Sequence, residues 1–145
     1  MQFNGLFLGR IDFQDKIERE KSKTLEFVWK TSPSLGDKSD LFTSVLPNVY
    51  WPPTNFCFDV NCYDDPITDY NAKYKAKELV DLVKLQATNY ATANTILTMG
   101  MDFYYRDAKK WFVNLEALMD EVNGFFLSCL PVRHNLNDDL AGSKM

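Results

Sequence analysis

The stretch Gly5-Leu6-Phe7-Leu8-Gly9-Arg10-Ile11 decides how the rest of the chain is read. It is a short apolar run between glycines and ends on an arginine, with Asp12 directly behind it. Short continuous apolar runs of this kind suit a strand buried on both faces, as in parallel sheets. Working outward, Lys16 to Lys30 carries Leu25, Val28 and Trp29 at i, i+3, i+4 spacing, which predicts an amphipathic helix stopping before Pro33. Ser34 to Asp40 is a polar loop, and Leu41 to Leu46 is a second strand closed by Pro47. Asn48 to Asp69 is irregular and holds three prolines, two cysteines and several aromatics; loops this long are functional or disordered, and this composition favours order. Helix returns near Ala72, where Ala76, Leu79, Val80, Val83, Ala87 and Tyr90 form one stripe. Thr95 to Gly100 is a third strand. A third helix carries Ala108, Trp111, Phe112, Leu115, Leu118, Met119 and Val122, with Asn123-Gly124 as its C-cap. Phe125 to Leu130 is a fourth strand candidate, with a loose polar tail behind it.

The order β-α-β-loop-α-β-α predicts a parallel sheet with right-handed crossovers. The expected organisation is one unit over 1–124 and a divergent strand-like run with a tail over 125–145. Length and composition bound the function. The 145 residues fit one domain, and about 250 are needed to close a full (β/α)₈ barrel. The net charge of −4 supplies no phosphate-neutralising face, which argues against a general nucleic-acid binder. No apolar run reaches the roughly 20 residues of a membrane span, and the first ten residues do not read as a secretory signal.

In parallel α/β folds, chemistry gathers at the C-terminal ends of the strands. Arg10 and Asp12 come after the first strand, Asn48, Tyr50 and Trp51 after the second, and Asp102 after the third. Each has a plainer reading as a capping or loop-covering residue. Cys57 and Cys62 lie close enough in sequence for a disulfide, though the spacing does not force one. The other reading is a Cys₃His zinc site from Cys57, Cys62, Cys129 and His134. Dinucleotide, P-loop and HExxH motifs are absent, and a single histidine argues against Ser-His or Cys-His catalysis.

Longer strings carry a more specific likeness. Gly5-Leu6-Phe7-Leu8-Gly9-Arg10-Ile11-Asp12-Phe13-Gln14-Asp15-Lys16 resembles the GLFFGRIDYQDK segment of lysosomal-type class II α-mannosidases, glycoside hydrolase family 38. Asp40-Leu41-Phe42-Thr43-Ser44-Val45-Leu46-Pro47-Asn48 with Tyr50, Pro52 and Pro53 resembles DLFTSVLPN-x-Y-x-PP. Cys57-Phe58-Asp59-Val60-Asn61-Cys62 resembles C-W/F-D-x-x-C. Asn71, Ala76-Lys77-Glu78-Leu79-Val80, Met99-Gly100-Met101-Asp102-Phe103 and Trp111-Phe112-Val113-Asn114-Leu115 come in the family's order, so the likeness runs from Phe3 to Asn123.

The resemblance implies a retaining, zinc-dependent exo-α-mannosidase acting on terminal α-mannose of N-glycan-type oligosaccharides in mannose metabolism. It also implies a lysosomal parent and a three- or four-stranded parallel segment of an incomplete α/β, TIM-like barrel. It assigns the acid/base to Asp102, sugar contacts to Arg10 and Tyr50, and a local disulfide to Cys57 and Cys62. No metal ligand is assigned to this chain. The family's nucleophile and zinc ligands match nothing in these residues, so zinc belongs to the full-length parent and the chain alone is expected to be inactive. Its implied partners are a mannose-terminated oligosaccharide and the remainder of the parent domain. Trp51 stands where the family usually has Asn or Asp, and Met101 where it usually has a polar residue. The start and the divergent end are expected of a partial gene, a truncated gene model or a splice remnant. The alternatives are a non-catalytic binding or regulatory remnant and the small Cys₃His zinc module.

Overall fold

A computed structural model describes residues 3–129. Strand β1 spans Gly5–Leu8, helix α1 Phe13–Ser22, strand β2 Glu26–Lys30, strand β3 Asp40–Val45, helix α2 Ala72–Ala87 and helix α3 Ala108–Cys129. A single 3₁₀ turn, Gly36–Ser39, leads into β3.

The predicted helix over Lys16 to Lys30 is two elements. Asp12 opens α1 by accepting the backbone N–H groups of Gln14 and Asp15, each at 3.0 Å. Lys23 closes it in the left-handed conformation, φ 55°, with its N–H turned back to the carbonyls of the last turn. The second element, Glu-Phe-Val-Trp-Lys, is β2. Five residues rich in aromatic and β-branched side chains fit helical spacing and a strand equally, and tertiary pairing decides.

That strand changes the topology. The sheet has the order β1-β3-β2. β1 pairs parallel to β3, Gly5 opposite Phe42 and Leu8 opposite Val45, whereas β2 pairs antiparallel to β3, Glu26 opposite Ser44 and Lys30 opposite Asp40. The sheet is therefore three-stranded, within the three or four strands expected, but mixed and not parallel as the sequence reading expects. The short return from β2 through the 3₁₀ turn brings the chain back beside the strand it has just left, which forces an antiparallel pair; parallel neighbours need a longer crossover.

Thr95 to Gly100 forms no strand. Its polar groups bond instead to neighbouring segments: the Gly100 N–H donates to the Tyr50 carbonyl at 2.9 Å, and the Thr98 hydroxyl to the Trp51 carbonyl at 3.0 Å. The run from Phe125 is not a fourth strand within the described residues, because α3 passes through Asn123-Gly124 and continues to Cys129. A single helical glycine costs only about 1 kcal/mol, too little to stop a long helix. Leu130 and the tail lie outside the described residues.

Two packing centres result. Leu25, Val45 and Tyr90 form a small one under the sheet, joined by Ile11 and Phe27. Phe56, Cys57, Phe58, Ala76, Leu79, Trp111 and Leu118 form a larger one between α2, α3 and the loop before α2.

Candidate active site

Arg10 lies two residues beyond the end of β1, on the exposed side. Beyond β3 the backbone is held by the Leu46 N–H to the Leu8 carbonyl at 2.8 Å and by Lys16 Nζ to the Pro47 carbonyl at 2.7 Å. It then turns tightly, the Trp51 N–H donating to the Asn48 carbonyl at 3.0 Å, with Val49 at φ 53°. A β-branched residue in this region is a genuine outlier, and such residues persist only where the surroundings over-determine them. Val49 is pinned because Gly9 and Gly100 sit against this turn. A Cβ on Gly9 would meet Val49 Cγ1 at 3.5 Å, and one on Gly100 would meet the Tyr50 carbonyl oxygen at 3.4 Å.

The turn presents Tyr50, whose O–H donates to Asp102 Oδ1 at 2.9 Å, joining residues 52 apart in sequence. Directly after Asp102 comes Phe103, again at positive φ, 65°. Both partners of the hydrogen bond therefore neighbour a strained residue. The bond to Asp102 raises the Tyr50 hydroxyl above the ordinary tyrosine value, burial and the Asp102 charge add to this, and the Arg10 guanidinium opposes it. Tyr50 and Asp102 are thus in contact, while Arg10 makes no hydrogen bond to either among the described residues, and Asp102 is delivered by an irregular segment and not by a strand end.

The other residues singled out at strand ends do structural work. Asp12 caps α1. Asn48 Nδ2 donates to the Pro52 carbonyl within its own loop, at 3.4 Å. Trp51 and Met101, each next to a site residue, line a cleft of about 470 Å³ together with Asn48, Asn55, Asp64 and Tyr104.

Cys57 and Cys62 form a disulfide with their Cα atoms 5.8 Å apart. Both sulfurs are committed, so they are not thiolate ligands and the Cys₃His reading falls; His134 lies outside the described residues. Among the described residues, no three His, Cys, Asp or Glu side chains gather to hold a metal ion. These residues by themselves do not fit the zinc that the family resemblance implies.

One residue between the cysteines organises the whole region. Asp59 is fully buried and accepts from Trp111 Nε1 at 2.7 Å and from the backbone N–H groups of Tyr105 and Val60 at 2.8 Å. Burial alone would raise its carboxyl; the donors from Trp111, Tyr105, Val60 and Asn61 outweigh it and hold the carboxyl below the usual range. Tyr105, also at positive φ, stacks on Trp111 with ring centres 5.0 Å apart and donates its hydroxyl to the Met99 carbonyl at 2.7 Å. Asp59 thereby anchors the C-terminal end of the loop that carries Asp102, and Tyr105 ties that end back to Met99. The signal in the sequence is a carboxylate lodged between two cysteines, which reads as a motif letter until the partners 46 and 52 residues away are known.

Similar proteins agree with this arrangement of motifs. The family model for the glycosyl hydrolases family 38 N-terminal domain matches residues 1–133. Lysosomal alpha-mannosidase of Cavia porcellus is 46% identical over 130 residues, covering 85% of this chain and 13% of that protein. The Homo sapiens protein of the same name is likewise 46% identical over 130 residues. Alpha-mannosidase of Canavalia ensiformis is 34% identical over 127 residues, covering 83% of this chain and 13% of its own length. The chain thus spans about an eighth of the length of the curated relatives it matches, and it belongs to glycosyl hydrolase family 38, the class II α-mannosidases, within the N-terminal domain.

Proposed function

We propose that this chain is the acid/base-bearing part of the catalytic domain of a retaining, zinc-dependent α-mannosidase of lysosomal type, which removes terminal α-mannose from N-glycan-type oligosaccharides. The observation that carries the reading is the Tyr50–Asp102 hydrogen bond, which joins two family motifs at one exposed point. In a retaining mechanism two carboxyl groups divide the work. Here Asp102 is the acid. As the bond from the anomeric carbon to the glycosidic oxygen breaks, that oxygen takes the electron pair and the Asp102 proton. The bond to the anomeric carbon is formed by a carboxylate nucleophile from parts of the family domain outside this chain. Asp102 then draws a proton from the water that releases the sugar. In this reading Arg10 and Tyr50 serve the sugar's hydroxyls. The zinc ligands of the reading also come from outside this chain, and no step is routed through the metal. A disulfide fits a lysosomal parent, since such bonds persist in oxidising compartments.

On its own the chain is catalytically silent, because an isolated acid has no anchored sugar to protonate. The test places the matched part of this chain in human lysosomal alpha-mannosidase in place of its counterpart. The chimera should hydrolyse α-mannosides. Asp102→Asn should slow a substrate with a poor leaving group by roughly 10²-fold or more, and an activated aryl mannoside far less. Equal losses on both substrates, or vigorous hydrolysis by the isolated chain, would overturn the proposal.

A further inference from the structure

The geometry points to Tyr50 as a positioning residue for the acid, holding Asp102 Oδ1 so that Oδ2 is the oxygen that carries and delivers the proton. This rests on the reading of Asp102 as acid/base and goes beyond it, because the resemblance implies only a sugar contact for Tyr50.

A carboxyl group has two oxygens, and a proton donor is effective when the proton sits on the one facing the leaving group. Tyr50 donates to Oδ1 at 2.9 Å. A protonated carboxyl accepts well at its carbonyl oxygen and donates from its hydroxyl, so an O–H fixed on Oδ1 assigns the proton to Oδ2. The same bond serves the ionised form after transfer, when Oδ1 shares the negative charge. Tyr50 therefore stays in place through both halves of the cycle.

The surroundings are built to hold that phenol. Its carbonyl receives the Gly100 N–H at 2.9 Å, which ties it directly to the segment bearing Asp102. Gly9 and Gly100 close on the turn from two sides, near enough that a Cβ on either would be in van der Waals contact with Val49 or with the Tyr50 backbone. Val49 and Phe103, next to the two partners, are both held at positive φ. Strain collected at the two ends of a single hydrogen bond is what pre-organisation of that bond requires. A tyrosine serving only the sugar does not need its backbone locked to the strand of chain that delivers the acid.

Two measurements test this. In the 145-residue chain labelled at tyrosine Cζ, the Tyr50 hydroxyl should titrate above the ordinary tyrosine value. It should fall back towards the ordinary value in Asp102→Ala, while the remaining tyrosines do not move. A Tyr50 midpoint indifferent to Asp102→Ala overturns the proposal whether or not the chimera folds. In the active chimera, Tyr50→Phe should lower kcat on the poor-leaving-group substrate roughly tenfold, the worth of one hydrogen bond of about 1.4 kcal/mol. KM should barely change, and the loss on the activated substrate should be under about threefold. Tyr50→Phe added to Asp102→Asn should cost little more. If Asp102→Asn shows the leaving-group dependence but Tyr50→Phe loses equally on both substrates, or acts through KM, Tyr50 is a sugar contact and this inference fails while the acid assignment stands. If Asp102→Asn itself loses equally on both, the acid assignment fails and the inference with it.

Discussion

The sheet half of the chain and the helix-and-disulfide half solve the burial problem differently. Around the sheet only Leu25, Val45 and Tyr90 form a buried apolar cluster, while Phe7, Phe42, Val28 and Trp29 are 43–60% exposed. In the other half Phe56, Phe58, Trp111 and Leu118 are at most 1% exposed, Asp59 is wrapped in donors, and a disulfide closes the loop. Tyr50 belongs to the first half and Asp102 to the second. The difference teaches that the site is a seam, with its acid on the firmly packed side and the tyrosine reaching across from the lightly packed one. Small clusters with open faces sit at the low end of local stability.

The sharpest way to break this contrast is Asp59→Ala. It orphans the buried Trp111 Nε1 and the half-buried Tyr105 N–H, and should cost about 3 kcal/mol, with the helical half melting first in urea. Acid tests the same group. Its carboxyl is held below the ordinary value near 4, so the unfolded chain binds its proton first. Its contribution is therefore complete above about pH 4 and is lost as pH falls through the lower folded value, which a series of urea midpoints should track in wild type and not in Asp59→Asn.

Replacing Cys57 and Cys62 with serine should cost about 2 kcal/mol, the loop-closure value for so short a ring. Amide exchange should speed up around residues 56–64 and not in β1 to β3. Equal acceleration in the sheet would contradict the separation of the halves.

Tyr90 is the bridge, and it sharpens the comparison from the sheet side. Its hydroxyl donates to the Val45 carbonyl at 2.7 Å, and burial together with Glu26 and Glu20 pushes it up to about 12. A raised value means the unfolded chain ionises first. Stability is whole below about pH 10 and declines as pH rises towards about 12. Tyr90→Phe should lose about 1–2 kcal/mol and flatten that alkaline decline. The smallest effect is expected from Asp102→Asn, which should shift the urea midpoint by no more than about 0.5 kcal/mol because Asp102 is exposed. A larger loss would mark Asp102 as a structural residue of the seam.

Local sequence patterns reach some parts of the molecule and not others, for identifiable reasons. Helices α2 and α3 are legible because long apolar stripes at a 3.6-residue period have one interpretation. The start of α3 is legible and its end is not, since a glycine after asparagine signals a C-cap only if nothing beyond it favours continuing. β2 is hidden because five residues are too few to separate a helical from an extended period. Tyr50 and Asp102 stand out through family motifs, and Asp59 sits in one of them without its task being visible.

By itself the sequence determined what the backbone does locally and what chemistry is present: β1, β3, α2, the start of α3, and a tyrosine, an arginine and an aspartate set in family motifs. Local patterns suffice there because side-chain period and capping act within a few residues. The tertiary structure decided the antiparallel β2, the extension of α3, the irregular course of 95–100 and the role of Asp59. It also decided that Tyr50 and Asp102 share a hydrogen bond. Those outcomes depend on which groups meet across some 20 to 50 residues, and such meetings are chosen by loop direction and packing, for which a linear string carries no local signal.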